Sequence, residues 1–182
     1  MFIQTENTPN PSTLKFIPGE TVLGNGTANF TSKSDAVKSP LAQALFDIKN
    51  VEAVFLGSDF ISVTKSENSG WDSLKTEILT TIMEHYVAEK PIMLENDTPA
   101  PESVEDEDEI VKQIRELIDT RVRPSVAQDG GDIIFHGFEN GIVKLEMHGA
   151  CAGCPSSAVT LKDGIENMLK HYIPEVESVE SV

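Results

Sequence analysis

Residues 133–147 read IIFHGFENGIVKLEM, and this stretch decides the fold of the second half of the chain. Asn140-Gly141 separates two apolar segments, and an Asn-Gly pair in that position favours a tight turn between antiparallel strands. Val143, Leu145 and Met147 alternate with polar residues, as they do in a strand that buries one face. The stretch therefore predicts a β-hairpin.

Helices are predicted on both sides of this hairpin. Upstream, apolar residues recur at helical spacing from Ile110 until Pro124 ends them, and Asp129-Gly130-Gly131-Asp132 then favours a turn. Downstream, a helix is predicted from about Pro155 to His171, followed by a short strand around Val176 to Val179. The predicted order of this domain is helix, hairpin, helix, strand.

The first 90 residues predict a separate small domain with a covered sheet. One helix follows Ser39-Pro40, which pairs a capping residue with a proline suited to the first helical position, and another begins near Trp71. Four apolar stretches are typical of strands: residues 2–6, 13–17, 51–56 and 60–64. The fold class is therefore α/β (α+β), with two small domains that each pack a sheet with helices.

Residues 91–109 differ in kind from both domains. They contain eight acidic residues, three prolines and no basic residue. Crowded like charge and proline keep a chain extended and solvated. We therefore predict an acidic linker between an N-terminal domain at residues 1–90 and a C-terminal domain at residues 110–182.

Composition narrows the possible partners and the compartment. A net charge of -16 over 182 residues disfavours binding to nucleic acid, and no apolar run approaches the length that a transmembrane helix needs. Met1 is followed directly by a strand-like segment and not by an Arg-rich import leader. We therefore expect a bacterial cytoplasmic protein, or alternatively a trimmed form from the mitochondrial matrix.

The chain has two cysteines, Cys151 and Cys154, in the loop between the hairpin and the following helix. Small residues in this loop let the backbone approach a metal or cluster closely. The N-terminus of a helix favours thiolate, which is the form of cysteine that binds metal, so we expect lowered pKa values for both thiols.

Two thiolates are half of the four ligands that zinc or a cubane cluster normally takes. His136 or His148 could complete a structural zinc site, or two chains could each contribute both cysteines to one shared 4Fe-4S cluster. A Cys-x-x-Cys pair at a helix N-terminus is also the thioredoxin arrangement, which leaves a thiol-disulfide oxidoreductase open. The preceding antiparallel hairpin weighs against that alternative, because thioredoxin-like enzymes place the pair after a parallel strand.

Several segments of the chain resemble Nfu-type iron-sulfur proteins. Residues 149–166, GACAGCPSSAVTLKDGIE, resemble the signature of the C-terminal domain of NifU, and so do Arg123-Pro124 and residues 129–133. The first half is similar to the N-terminal domain of that family at residues 8–11, 14–16, 39–42, 45–46 and 59–65. These segments span nearly the whole chain, with the acidic linker unmatched.

The resemblance implies that Cys151 and Cys154 bind a labile 4Fe-4S cluster shared across a homodimer. It implies a cluster carrier that receives its cluster from an upstream assembly scaffold and passes it to apo iron-sulfur proteins, without being an enzyme itself. A role as a cluster store or repair donor would use the same site. The N-terminal domain is a candidate for partner recognition.

Other polar and aromatic residues near these motifs have simpler interpretations. Arg121 and Arg123 are interpreted as the cationic end of a helix, and Trp71 as a core residue. Ser156, Ser157 and Thr160 are expected at the start of the last helix, where a hydroxyl could also donate to cluster sulfur.

Overall fold

The computed structural model describes residues 1–94, 108–152 and 155–182, without the side chains of residues 155–157. The chain divides into two compact units, Met1–Ala100 and Pro101–Val182. Each unit contains a sheet and helices, so the predicted mixed class with two sheet-containing regions is confirmed.

Unit 1 contains a five-stranded sheet in the order β1-β2-β5-β4-β3, in which all neighbouring strands are antiparallel. Its strands are β1 Gln4–Asn7, β2 Thr13–Ile17, β3 Ala28–Phe30, β4 Val51–Leu56 and β5 Ile61–Lys65. A short 3-10 turn spans Asp35–Lys38, and the helices are α1 Pro40–Phe46 and α2 Trp71–Val87. The sequence did not predict β3, because three residues are too few to show an alternating pattern.

The core of unit 1 lies between one face of the sheet and the two helices. Its largest fully buried members include Phe16, Leu41, Leu45, Leu56, Ile61, Ile78 and Ile82. The helix α1 begins where the sequence predicted, because the Ser39 hydroxyl accepts from the Ala42 N–H at 3.1 Å and Pro40 occupies the first turn.

The segment that follows α2 is fastened to unit 1. The Ser39 hydroxyl donates to the Ile92 carbonyl at 2.7 Å, and the Leu94 N–H donates to the Lys38 carbonyl at 2.8 Å. Ile92 and Met93 pack against the core. The first four residues of the predicted linker therefore lie against unit 1, while residues 95–107 lie outside the described residues.

Unit 2 follows the predicted order of helix, hairpin, helix, strand. Its elements are α3 Glu109–Leu117, a π-helical turn Ile118–Val122, α4 Arg123–Gln128, β6 Gly131–Glu139, β7 Ile142–Gly149, α5 Pro155–Tyr172 and β8 Ser178–Ser181. The sheet order is β6-β7-β8, with β6 and β7 antiparallel and β8 parallel to β7. Apolar residues of the helices and of the inner sheet face form its core.

The sequence predicted that the first helical segment of unit 2 ends at Pro124, but the helix continues past this residue. The helix passes through the π-helical turn, in which the Arg123 N–H donates to the Ile118 carbonyl, and Pro124 then lies in the first turn of α4. Proline is tolerated there, because the first turn of a helix needs no intrahelical donor from it. The helix ends at Asp129, and Gly130 leaves it with a φ of +80°.

The hairpin β6-β7 has the predicted tight turn. Asn140 and Gly141 have φ angles of +52° and +78°, which are the two positive values that a type I′ turn requires. The register shifts between Phe135 and Gly137, so β6 carries a bulge at His136. Within the described parts of the chain, no helix has both the length and the apolar character needed to cross a bilayer.

Candidate functional site

Cys151 lies just after β7, in the loop that leads to the N-terminus of α5. Its side chain belongs to the core of unit 2 and is 6% exposed. Cys154, the second predicted ligand, lies outside the described residues. The structure therefore describes one of the two cysteines, and the side chain of that cysteine is buried.

A pair of glycines at the start of β6 supports Cys151, and we call Gly130-Gly131 the glycine shelf. A methyl carbon on Gly131 would lie 2.8 Å from Cys151 Sγ and 2.7 Å from the His148 carbonyl oxygen, so only a residue without a side chain fits. The Ala150 N–H donates to the Gly130 carbonyl at 3.1 Å. The sequence predicted a turn here, and the structure adds contact with Cys151.

An ion pair holds the strand end beside the glycine shelf. Arg123 Nε and one terminal nitrogen donate to the two carboxylate oxygens of Asp132, each at 2.8 Å. Asp132 is 3% exposed and also accepts from the Ile133 N–H. Arg123 has a raised pKa because its side chain donates to Asp132 and, at 3.3 Å, to Asp119. Bidentate pairs of this kind fix orientation as well as charge.

The two arginines that the sequence assigned to a cationic helix end have specific partners. Arg123 binds Asp132, and the Arg121 guanidinium carbon lies 5.0 Å from the centre of the Tyr172 ring. The sequence predicted a turn at Asp132 but not its contact with Arg123, because sequence spacing does not show that two side chains nine residues apart meet. Trp71 packs against the core of unit 1, partly exposed, and its indole N–H donates to the Pro11 carbonyl at 3.1 Å.

Both candidate histidines bind the same glutamate. His148 Nε2 lies 2.9 Å from one carboxylate oxygen of Glu146, and His136 Nε2 lies 2.6 Å from the other. Hydrogen bonds from His148 and His136 hold the pKa of Glu146 below its ordinary value. His148 follows the core residue Met147 in β7, so its side chain lies on the outer face of the sheet, while Cys151 belongs to the core side.

Both histidines therefore share one hydrogen-bonded partner, Glu146. Among the described residues, no group of three or more His, Cys, Asp or Glu side chains is arranged to hold a metal ion. What the described loop offers is a thiol at the N-terminal side of an 18-residue helix, with backbone approach eased by glycine and alanine. A cysteine side chain ligates the iron of a cluster as its thiolate.

Comparison with known proteins agrees with these features. Residues 3–89 match the family described as "Scaffold protein Nfu/NifU N terminal", and residues 114–180 match the family described as "NifU-like domain". A human relative, the "NFU1 iron-sulfur cluster scaffold homolog, mitochondrial", is 53% identical over 184 aligned residues, which cover 100% of this chain and 72% of the relative. This chain belongs to the NFU1 iron-sulfur cluster scaffold family.

Fly relatives of the NFU1 family show the same similarity. The relative from Drosophila ananassae is 55% identical and that from Drosophila virilis is also 55% identical, each across the whole of this chain. The chain spans 64% and 62% of those two proteins, which is less than two thirds of their length. A solution structure of a NifU-like protein from Saccharomyces cerevisiae matches with a TM-score of 0.47 and 25% identity, covering 51% of this chain and 84% of that one.

The expectation of a bacterial cytoplasmic protein is wrong. The NFU1 relatives from flies and human are named as mitochondrial proteins. The expectation was based on the residues that follow Met1, but those residues say nothing about a leader in a chain that spans only part of its relatives.

Proposed function

We propose that this NFU1-family chain holds an iron-sulfur cluster on Cys151 and Cys154 and passes it to apo iron-sulfur proteins. The observation that carries the proposal is the position of Cys151, on a small-residue loop before α5 and against the glycine shelf. The glycine shelf lets the thiol lie directly against the backbone, and small residues in the loop let the backbone approach a bound group closely. Family membership supports the same conclusion, because the relatives are named as cluster scaffolds.

The cargo is a 4Fe-4S cluster shared by two chains. A cubane cluster takes four protein ligands, and one chain has two cysteines. Neither histidine near the loop supports ligation, because both face Glu146 on the outer side of the sheet. Two copies that each contribute Cys151 and Cys154 supply the full set of thiolates.

A cluster held between two chains suits a carrier better than an enzyme. Separation of the chains removes half of the ligands at once, so the cluster is released when a recipient offers its own thiolates. We therefore propose that the chain catalyses no reaction of its own, receives its cluster from an upstream assembly scaffold and delivers it to apo-proteins.

Transfer of the cluster tests this proposal directly. The full chain is loaded anaerobically with iron and sulfide, freed of unbound ions, and mixed with an apo-enzyme that needs a 4Fe-4S cluster for activity. A chelator for free iron is present throughout. We expect activity to appear in the recipient while the absorption of the loaded donor falls, and we expect neither change with Cys151→Ser or Cys154→Ser.

Two results would contradict the proposal. One is a wild-type chain that takes up no iron and sulfide under these conditions. The other is a wild-type chain that loads but loses its cluster only to the chelator. A colourless monomer that instead cycles a Cys151-Cys154 disulfide and reduces a disulfide substrate would identify a thiol-disulfide oxidoreductase.

A further inference from the structure

We propose that Arg123 and Asp132 are positioning residues for the cluster ligand Cys151, although neither touches the cluster. This inference rests on the proposed function, since it concerns a ligand of the same site. The ion pair holds the glycine shelf in position, and the glycine shelf holds the sulfur atom of Cys151 in position.

The ion pair joins two elements, α4 and β6. Arg123 opens α4 and Asp132 lies at the start of β6, with the turn at Asp129-Gly130 between them. Both oxygens of the carboxylate are engaged at 2.8 Å, and the carboxylate is almost fully removed from solvent. Because a guanidinium fork and a carboxylate meet in one plane, the pair sets the direction in which the chain leaves the turn.

Short contacts connect the start of β6 to Cys151, so the path of the backbone there determines where Cys151 lies. Asp132 is bonded directly to Gly131, whose α-carbon is so close to Cys151 Sγ that no methyl group fits between them. In the hairpin register, Asp132 pairs with His148 and Gly131 pairs with Gly149, so the loop leaves β7 beside the shelf. The hydrogen bond from Ala150 N–H to the Gly130 carbonyl closes the connection.

Arg123 makes its shorter contacts with the more buried of its two acceptors, Asp132. An exposed ion pair contributes little, but removal of one partner from a buried, hydrogen-bonded pair leaves a buried charge without compensation. Here the more exposed acceptor of Arg123, Asp119, makes one longer contact at 3.3 Å, while the buried acceptor Asp132 makes two shorter ones. Asp132 is the buried member of the pair, and a substitution that removes its hydrogen bonds with Arg123 should therefore loosen the glycine shelf locally.

Two variants test the pair, and one serves as a matched control. Asp132→Asn removes the buried charge, and Arg123→Lys keeps the positive charge but loses the bidentate geometry. Asp119→Asn removes the exposed contact of the same arginine and leaves the contact with Asp132 in place. All three are made in the full chain.

The first measurement needs no cluster. Apo-protein is alkylated with iodoacetamide, and mass spectrometry follows Cys151 and Cys154 in the same molecules. Global unfolding exposes both thiols together, whereas a loosened shelf accelerates Cys151 alone. We expect the rate at Cys151 relative to Cys154 to rise about tenfold in Arg123→Lys and Asp132→Asn, because the buried pair opposes local opening, and to stay within about twofold of wild type in Asp119→Asn.

The second measurement uses reconstituted protein. We expect Arg123→Lys and Asp132→Asn to bind the cluster with a shorter half-life and with a changed Mössbauer quadrupole splitting, since a displaced sulfur alters the iron environment. The core variant Leu169→Ala in α5, which also loses thermal stability, should change neither the alkylation ratio nor the spectrum. This comparison separates positioning from a general loss of stability.

The outcomes separate this inference from the proposed function. If wild type loads but both pair variants match it in alkylation ratio, cluster half-life and spectrum, the positioning role is wrong and the cluster site stands. If wild type takes up no cluster, the proposed function fails, and with it the assignment of these residues to a cluster ligand, whatever the alkylation ratio shows.

Discussion

Substitution of Gly131 by alanine should disturb the candidate site through contact alone. The added methyl carbon would lie 2.7 Å from the His148 carbonyl oxygen, 2.8 Å from Cys151 Sγ and 3.2 Å from the Cys151 nitrogen. Two of these three atoms are backbone atoms that cannot rotate away. Forcing extra volume into a packed site typically costs about 1–3 kcal/mol, and alanine in place of glycine returns about 0.4–1 kcal/mol through the unfolded state. We expect unit 2 to lose about 1–2 kcal/mol of its free energy of unfolding.

Native-state hydrogen exchange read by NMR measures this change at individual amides of β6 and β7. Gly137→Ala is the matched control, because it lies in the same strand and a methyl group there meets nothing within 4 Å. Gly131→Ala should also reduce the iron and sulfide bound per chain after reconstitution, while Gly137→Ala should not. An unchanged exchange rate and unchanged loading in Gly131→Ala would refute the close approach of the shelf to Cys151.

Three further predictions concern stability, and the single tryptophan makes two of them specific for unit 1. Gly164 lies inside α5, and a methyl group there would meet nothing within 4 Å. Gly164→Ala should therefore stabilise unit 2 by about 0.5–1 kcal/mol in the same exchange experiment. A loss of stability would contradict this prediction. Ser39→Ala removes the cap of α1 and the hydrogen bond to the Ile92 carbonyl. The free energy of unfolding of unit 1 should fall by about 1–3 kcal/mol, measured by urea unfolding followed by Trp71 fluorescence. A change near zero would mean that neither bond stabilises unit 1. Burial lowers the pKa of His85, whose ring contacts the Pro91 carbonyl at 3.1 Å, so the unfolded state binds the proton more readily. The stability contributed by neutral His85 is therefore present above about pH 6.5 and is lost as the pH falls below it. In His85→Gln, the melting temperature followed by Trp71 fluorescence should depend less on pH between pH 7 and pH 5. The same pH dependence in the variant and the wild type would contradict the role of His85.

The hairpin and the elements around it could be predicted from sequence because their signals are local. Asn140-Gly141 specifies its own turn geometry, and Ser39-Pro40 specifies the start of α1, so both appear where the residues indicated. The π-helical turn before Pro124 could not be predicted, since helical periodicity continues through it. The edge strand β3 was too short to be recognised.

The sequence indicated a kind of chemistry for the candidate site, but not the contacts around it. The spacing of Cys151 and Cys154 indicated metal or redox chemistry, and the resemblance to a known family made the choice between them. The shelter of Cys151 by Gly131 and the pairing of Arg123 with Asp132 depend on tertiary contacts across the turn, which no spacing rule encodes. The compartment was predicted wrongly because weight was given to the first residues of a chain that spans only part of its relatives' length.

The most direct test of the central claim is a Mössbauer spectrum of protein reconstituted anaerobically with ⁵⁷Fe and sulfide, combined with native mass spectrometry of the same sample. We predict the spectrum of a 4Fe-4S cluster on a mass of two chains, with both signals lost in Cys151→Ala and in Cys154→Ala and both kept in His136→Ala and His148→Ala. A cluster or metal ion bound to a single chain, or iron retained after either cysteine is removed, would contradict the shared site.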